Sequence, residues 1–589
     1  MDSITERRWV LRGEMPTSAT LITWQKQLSL SRLATRVLLS RIAELDQAGQ
    51  FLNARLGDLP DPFKLPDMVQ AVERLAIAVC RNEKIEVHGD YDVDGMAGCA
   101  LIVEGLEMLG AVDVDYHIPQ RLKEGYGLSS EAIVAAAKAG VRVVISVDCG
   151  ISAHSEAQLA REFGIDLIIT DHHQPPHNLP AACAVINPQR ADSAYPFPHL
   201  SGVGVAFLLL IALRKQLREM GWFQSRSEPD LRILLDLVAL GTIADLVPLT
   251  GVNRIFAQTG LRLLDSNRRI GIRALKQIAG VNDVTASTVG YQLAPRLNAA
   301  GRLEDARKGV SLLLEKDLDT ALTIAHQLDL CNRHRKDLEA KVFEQAVAAV
   351  AELSGDQAHA IVLAGENWHP GVIGIVASRL VDRYHRPTVV IALQGKQGKG
   401  SARSIKGFHM YKSILACAEH LDSFGGHEMA AGLNLSQDKL RAFAKGFEDQ
   451  ARASLCAEDL VPQVLYDGPM ALEECVLEEI QSLSQLAPFG IGNPEPVFLI
   501  ENVLPSQISV IKDLHLRFSI DRAGVQCQAI AFGMAERHGE LTGEINMLVT
   551  PRVNRFRGRS AVQLQVRDFR PSSDERLSRN SMISETEQV

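Results

Sequence analysis

Residues 86–98 read EVHGDYDVDGMAG, after an apolar lead-in and before a helical pattern that begins near Met96. His88, Asp90, Asp92 and Asp94 alternate with Gly89, Tyr91 and Val93, so an extended backbone of period two would aim the four polar side chains at one side. Like charges this close raise one another's pKa, and divalent cations placed between them keep them ionised. Oxygen-rich ligands with one imidazole suit Mn²⁺ or Mg²⁺ better than a structural Zn²⁺ site, which favours thiolates. Asp94, followed by Gly95 and a helix, reads as a helix N-cap. For His88, Asp90 and Asp92 metal binding outweighs the alternative of an acidic turn.

Outward from this stretch, short β-rich runs alternate with helices. Residues 84–88 form a strand, GMAGCALIVEGLEMLG a crossover helix, and 112–118 a second strand, with the helix EAIVAAAKAG after it. Residues 141–147 form a third strand that ends at Asp148, and 165–170 a fourth that ends at Asp171, His172 and His173. Residues 182–186 form a fifth. This order predicts an α/β fold with a parallel, doubly wound sheet, whose ligands bind beyond the carboxyl ends of the strands. An Asp after one strand is often a turn residue, but three strands delivering such residues to one edge make a site. Asp245, just past the buried pattern of LLDLVALGTIADLVPL, divides evenly between ligation and helix capping, because a buried Asp is costly unless paired.

At 589 residues the chain is too long for one core, and about three or four domains are expected. Hydrophobic residues at 46% and charged residues at 23% are those of an ordinary globular protein. A net charge of -9 excludes a histone-like coat of positive surface. It does not exclude nucleic acid, since affinity depends on where Lys and Arg sit. The nine Cys include no C-x-x-C pair, as suits reduced thiols in a cytoplasm. The start MDSITERRWV lacks the basic-then-apolar order of a signal peptide. No run approaches the roughly 20 apolar residues of a membrane helix, the nearest being 206–213, so a cytoplasmic protein without membrane contact is expected.

Residues 1–75 read as a helical lead-in, or a flap over the core, and 76–316 as the domain carrying the acidic cluster. Residues 317–353 form a long helix with a charged centre, CNRHRKDLEAKVFEQAVAAVAEL, a connecting rod whose Arg333, His334, Arg335 and Lys336 are better explained by a solvated face than by nucleic acid. A second, smaller α/β unit follows over 354–458. Its GKQGKGS lacks the order of a phosphate loop, which argues against nucleotide triphosphates. Residues 459–570 show short strands that fit a small barrel, from VPQVLYDG to AVQLQVRDF. There RVNRFRGRSAVQL sets Arg552, Arg555, Arg557 and Arg559 around Phe556. A groove for single strands, with phosphates on the arginines and a base on the ring, weighs evenly against a solvated turn. The tail 571–589 is polar and reads as disordered.

In order, HGDYDVDG, SVDCGIS, TDHH, GTIADLVPL, PRLNAAGR and FGGHEMAAG resemble the DHH phosphoesterase superfamily, and within it the RecJ branch of single-strand-specific exonucleases, over about residues 50 to 570. The resemblance implies a parallel-sheet DHH catalytic domain, a long helix, a smaller α/β DHH-associated domain and a β-barrel OB-fold. It implies that His88, Asp90 and Asp148 hold one Mn²⁺ or Mg²⁺, and that Asp92, Asp148, His172 and Asp245 hold a second, with Asp148 bridging. His173 then stabilises charge on the scissile phosphate, and Asp171 orients the histidine pair. Arg121, Arg296, Arg302, Ser401, Arg403 and His427 resemble the phosphate-gripping set, and Arg555, Phe556 and Arg557 would line the single-strand groove. The implied activity is two-metal hydrolysis of single-stranded DNA from its 5′ end to 5′-mononucleotides in recombination and repair. Implied partners are a single-stranded-DNA-binding protein and a helicase, around a monomer. A smaller-substrate DHH enzyme, such as a pyrophosphatase, an oligoribonuclease or a cyclic-dinucleotide phosphodiesterase, shares the acidic residues but has little use for the barrel. An inactive scaffold is disfavoured because an acidic cluster without metal destabilises the fold.

Overall fold

The computed structural model describes residues 7–121, 124–352, 358–522, 524–556 and 559–572. The chain forms two compact units. The first holds Pro60–Val247 and Thr259–Gln463, the second Trp9–Leu59, Pro248–Gln258 and the chain from Val464 onward. The expected disordered tail beyond Ser572 lies outside the described residues.

In the first unit, β1 (Ile85–Gly89), β2 (Val114–His117), β3 (Val143–Val147), β4 (Asp166–Thr170) and β5 (Ala184–Ile186) form one sheet in the order 2-1-3-4-5. Every pair is parallel. β3 is VVISV and buried throughout, the signature of a strand covered on both faces. Val147 meets α1 (Val93–Leu109), so closely that a Cβ on Gly98 would lie 2.4 Å from its Cγ1. Val144 packs the other way, with Ile133 and Ala157 of the helices Ser130–Lys138 and His154–Glu162. Both faces are therefore covered, and the strand order reverses between β1 and β3, the place where such sheets bind ligands.

α2 (Gly202–Glu219) and α3 (Leu235–Ala244) pack on α1. The apolar run 206–213 is thus core, and among the described residues no helix is long and apolar enough to cross a membrane. α4 (Ala294–Leu303) leads to α5 (Leu318–Glu352). The centre of α5 departs from the expected solvated rod: Asp329, Asn332 and Arg335 are buried while Arg333, His334 and Lys336 are exposed. The cause is packing, since α5 lies against α4 and the helix Ile270–Ala279.

A second sheet follows, from β6 (Ile361–Glu366), β7 (Thr388–Gln394), β8 (Gln397–Arg403), β9 (Ser423–Gly426) and β10 (Ala430–Ser436), in the order β9-β10-β8-β7-β6. Only β6 and β7 run parallel among these pairs, and α6 (Ile373–Tyr384) connects them. GKQGKGS lies in the tight β7–β8 hairpin, which has no phosphate-loop shape.

The second unit is a closed barrel of β11 (Phe498–Ile511), β12 (His515–Arg522), β13 (Val525–Ala531), β14 (Ile545–Phe556) and β15 (Arg559–Pro571), in the order β11-β12-β13-β15-β14. VPQVLYDG is not part of it. Residues 463–466 instead pair with 8–11 as a separate two-stranded sheet. Residues 9–59 belong to this second unit as well. Leu33, Val37 and Leu38 on one face of the helix Arg32–Leu39 join Leu483, Phe498 and Phe518 in the barrel's own core.

Candidate metal centre

The site is built where β1, β3 and β4 end. β1 stops at Gly89 and the chain bends, so the extended alternation expected through Asp94 does not continue. Asp92 is the N-cap of α1, with Oδ1 accepting the amides of Asp94 at 2.9 Å and Gly95 at 3.2 Å. The cap reading of Asp94 is thereby corrected. Asp94 sits in the first turn, 1% exposed, and its carboxylate accepts the amides of Gly202 at 2.6 Å and Val203 at 3.1 Å, two free donors at the start of α2. Asp148, after β3, adopts a left-handed φ of 62°, a conformation costly for a residue with a Cβ and kept mostly at functional positions. The Tyr126 hydroxyl donates to its carbonyl at 3.0 Å. Gly202 is needed beside it, because a Cβ there would stand 2.6 Å from that of Asp148.

Ligand atoms of Asp90, Asp92 and Asp148 lie within 4.8 Å of one another, as do those of Asp148, His172 and His173, and those of Asp94, His172 and Asp245. Asp148 and His172 link the three sets. His172 Nε2 is 3.1 Å from Asp148 Oδ1 and 3.6 Å from Asp245 Oδ2. Asp245 occupies the C-cap position of α3, but its Oδ2 bonds to nothing there. His88 belongs to none of these sets. Its Nε2 meets Glu86 Oε1 at 2.8 Å and its ring lies 5.2 Å from that of His117. Asp171 accepts the amides of His172 at 2.7 Å, His173 at 3.1 Å and Ile151 at 2.9 Å, and sits 2.7 Å from His173 Nδ1.

The electrostatics ask for positive charge. Burial first, and then the neighbouring carboxylates, push Asp90, Asp148 and Asp245 well above the usual range and Asp94 up to about 7. Burial, and then His173, pull His172 down to about 4, which keeps its ring neutral and able to ligate. Burial alone would raise Asp171 and lower His173, but their mutual bond reverses both. Five buried atoms of this region, His88 Nδ1, Asp90 Oδ1, Asp148 Oδ1, His172 Nε2 and Asp245 Oδ2, have no hydrogen-bond partner among the described residues. Orphaned acceptors of this kind are expensive unless a cation satisfies them, so the donor set fits hard divalent ions.

A second cluster faces the first. Burial, then the charges of Arg121, Arg335 and Arg403, pull Arg302 down to about 10, and its Nη1 reaches only the Gly371 carbonyl at 3.4 Å. Arg403 Nη1 donates to Ser401 Oγ at 3.2 Å. Gly374, near the start of α6, lies against both, since a Cβ there would be 3.0 Å from Ser401 Oγ. Arg121 stacks 5.0 Å from the Tyr91 ring. Burial, and then the charge of His173, lower the pKa of His427. Arginines gathered near a helix N-terminus suit an anion.

Arg296 stands apart from this cluster. It is locked to Asp329 of α5 at 2.9 Å and to the Gln292 carbonyl at 2.6 Å, a structural pair. In the barrel, Arg552 pairs with Glu495 at 2.6 Å. Arg557 lies outside the described residues, and of the side chains of Arg555 and Phe556 nothing is described. Sequence reasoning missed Asp94, hidden by its resemblance to a cap, and Tyr126, although PQRLKEGYG contains both it and Arg121.

Comparison with known proteins agrees with this division. Residues 84–242 match the DHH family, N-terminal domain, 354–453 the DHHA1 domain and 466–568 the RecJ OB domain. The single-stranded-DNA-specific exonuclease RecJ of Dickeya dadantii is 38% identical over 94% of this chain and 98% of its own length. That of Bacillus subtilis is 37% identical over 96% of this chain and 71% of its own. A crystal structure of RecJ in complex with Mn²⁺ from Thermus thermophilus superposes with a TM-score of 0.82 at 30% identity, covering 96% of this chain and 79% of that one. With its parallel DHH sheet, its associated domain and its barrel all matched along most of its length, the chain belongs to the RecJ family of single-stranded-DNA-specific exonucleases.

Proposed function

We propose that this chain is a metal-dependent exodeoxyribonuclease that degrades single-stranded DNA from the 5′ end to 5′-mononucleotides, in DNA recombination and repair. The observation that carries this reading is the set of buried, partnerless ligand atoms on Asp90, Asp148, His172 and Asp245, gathered where three strands of the sheet end. Asp90, Asp92, Asp94, Asp148, His172 and Asp245 would hold two divalent cations, Mn²⁺ or Mg²⁺, with His88 available through its orphaned Nδ1. Such ions supply a water acidic enough to ionise near neutral pH and offset charge on the phosphate.

The chain's own groups do the rest. Asp171 fixes the His173 ring and favours its protonated form, leaving an Nε2–H to donate to a phosphate oxygen. Tyr126, within 3.3 Å of the same ring, holds it against the Asp148 backbone. Arg121, Arg302, Ser401, Arg403 and His427 grip a phosphate, and Arg555, Phe556 and Arg557 contact the strand at the barrel. The enzyme works in the cytoplasm as a monomer, beside a single-stranded-DNA-binding protein and a helicase.

The test is digestion of single strands labelled at either end, beside a matched duplex, with Mn²⁺, Mg²⁺ or a chelator. Early release of the 5′ label as a mononucleotide, with metal and from single strands alone, supports the reading. Release from the 3′ end, or equal attack on duplex, overturns it.

A further inference from the structure

Tyr291 is 81% exposed, an unusual place for a ring whose burial is worth so much. It stands in a π-helical turn, Val289–Leu293, that runs directly into α4. Single π turns sacrifice regular hydrogen bonding and are found mostly where function keeps them. A Cβ on the neighbouring Gly290 would touch nothing, so the surface here is open.

The face that Tyr291 begins is accessible along its length. Positions 291, 295, 298 and 302 follow one another at helical spacing. Tyr291 is exposed and Pro295, Asn298 and Arg302 half-buried, while Leu293, Ala294, Leu297, Ala299 and Ala300 are buried. Asn298 Oδ1 accepts the Val93 amide at 3.0 Å, next to the Asp92 cap. Arg302 ends the face in the arginine cluster. The π turn also packs on α3, the helix that Asp245 follows as C-cap. Eleven residues at 1.5 Å each place Tyr291 about 16 Å along the helix from Arg302.

We infer that Tyr291 is a stacking platform for a base of the single strand whose phosphate lies at Arg302. The inference rests on the nuclease reading and extends it, since no part of the hydrolytic centre needs this ring. Every base has a π face, so one tyrosine serves all sequences. Stacked bases rise about 3.4 Å each along a strand, which puts the base no further than about the fifth nucleotide from the gripped phosphate.

The experiment compares wild type, Tyr291→Ala, Tyr291→Phe and Arg302→Ala. It reads kcat/KM on a 20-mer against kcat/KM on a dinucleotide, and the fluorescence of 2-aminopurine moved stepwise along a phosphorothioate-protected single strand. Tyr291→Ala is expected to lower the 20-mer to dinucleotide ratio on the order of tenfold and to abolish quenching at one of the first few positions. Tyr291→Phe retains both. An unchanged ratio, or quenching that survives in Tyr291→Ala, overturns the platform while leaving the nuclease intact. Failure of wild type to cleave either substrate, or of Arg302→Ala to weaken both, sinks the nuclease reading and the platform with it.

Discussion

The Asp94 carboxylate accepts the Gly202 amide at 2.6 Å, and Gly202 in turn lies against Asp148. One side chain thus holds the starts of two helices and the floor of the acidic site in register. Asp94→Asn leaves a single carbonyl oxygen for two amides, which is expected to cost about 1–3 kcal/mol in urea unfolding and to weaken Mn²⁺ binding. Wild-type values for both would assign Asp94 no such role.

Saturating Mn²⁺ is expected to stabilise the protein by about 2.7 kcal/mol at a hundredfold excess over Kd, read as a rise in Tm that a chelator reverses. The cations displace protons from carboxyls that burial and mutual repulsion keep high, Asp94 at about 7 among them. Binding therefore releases protons and weakens as pH falls. Calorimetry in buffers of different ionisation enthalpy reads that release, and its absence would contradict the electrostatic account.

Asp171 bonds to His173 Nδ1 and to three backbone amides. Asp171→Asn loses the charge that favours a protonated His173 and leaves one oxygen where two accept, turning its NH2 towards the Ile151 amide if the His173 bond is kept. A 10–100-fold loss of kcat, with Mn²⁺ stoichiometry intact, is the expected outcome of single-turnover kinetics.

Replacing Arg403 by Ala removes one cation from the arginine cluster. Affinity for single-stranded DNA is expected to fall for every sequence alike, and the slope of log K against log salt to shrink by about 1. Anisotropy titrations over a salt series read both.

Away from the site, Arg269 joins Asp236 and Glu104 at 2.7 and 2.5 Å. Burial alone would raise the Glu104 carboxyl, but Arg269 and then Lys316 hold it below its ordinary 4.5. Its stabilisation is thus complete above about pH 4.5 and disappears as pH falls through the lower folded value. Glu104→Gln is expected to lose about 1–3 kcal/mol at neutral pH, a gap that narrows in acid.

The parallel sheet was legible because its strands are continuous apolar runs spaced by helices, and so were Asp148 and Asp171–His173, each placed by a strand end. Asp94 was not, because the pattern of an acidic residue before Gly95 and a helix fits a cap, and only the fold brings Gly202 and Val203 to it. The pairing of Arg296 was hidden for the same reason. Its partner Asp329 comes from a helix whose packing no local spacing reveals, whereas Glu339, the partner of Arg335, lies one turn on along the same helix. The attachment of residues 9–59 to the barrel likewise joins segments over 400 positions apart.

The central claim is that side chains from three strand ends and α3 cage a pair of cations. Electron paramagnetic resonance of an Mn²⁺ titration tests it most directly. Two ions per chain, magnetically coupled in wild type and reduced to at most one in Asp148→Ala, are the expected result. Wild-type occupancy and coupling in Asp148→Ala would contradict it.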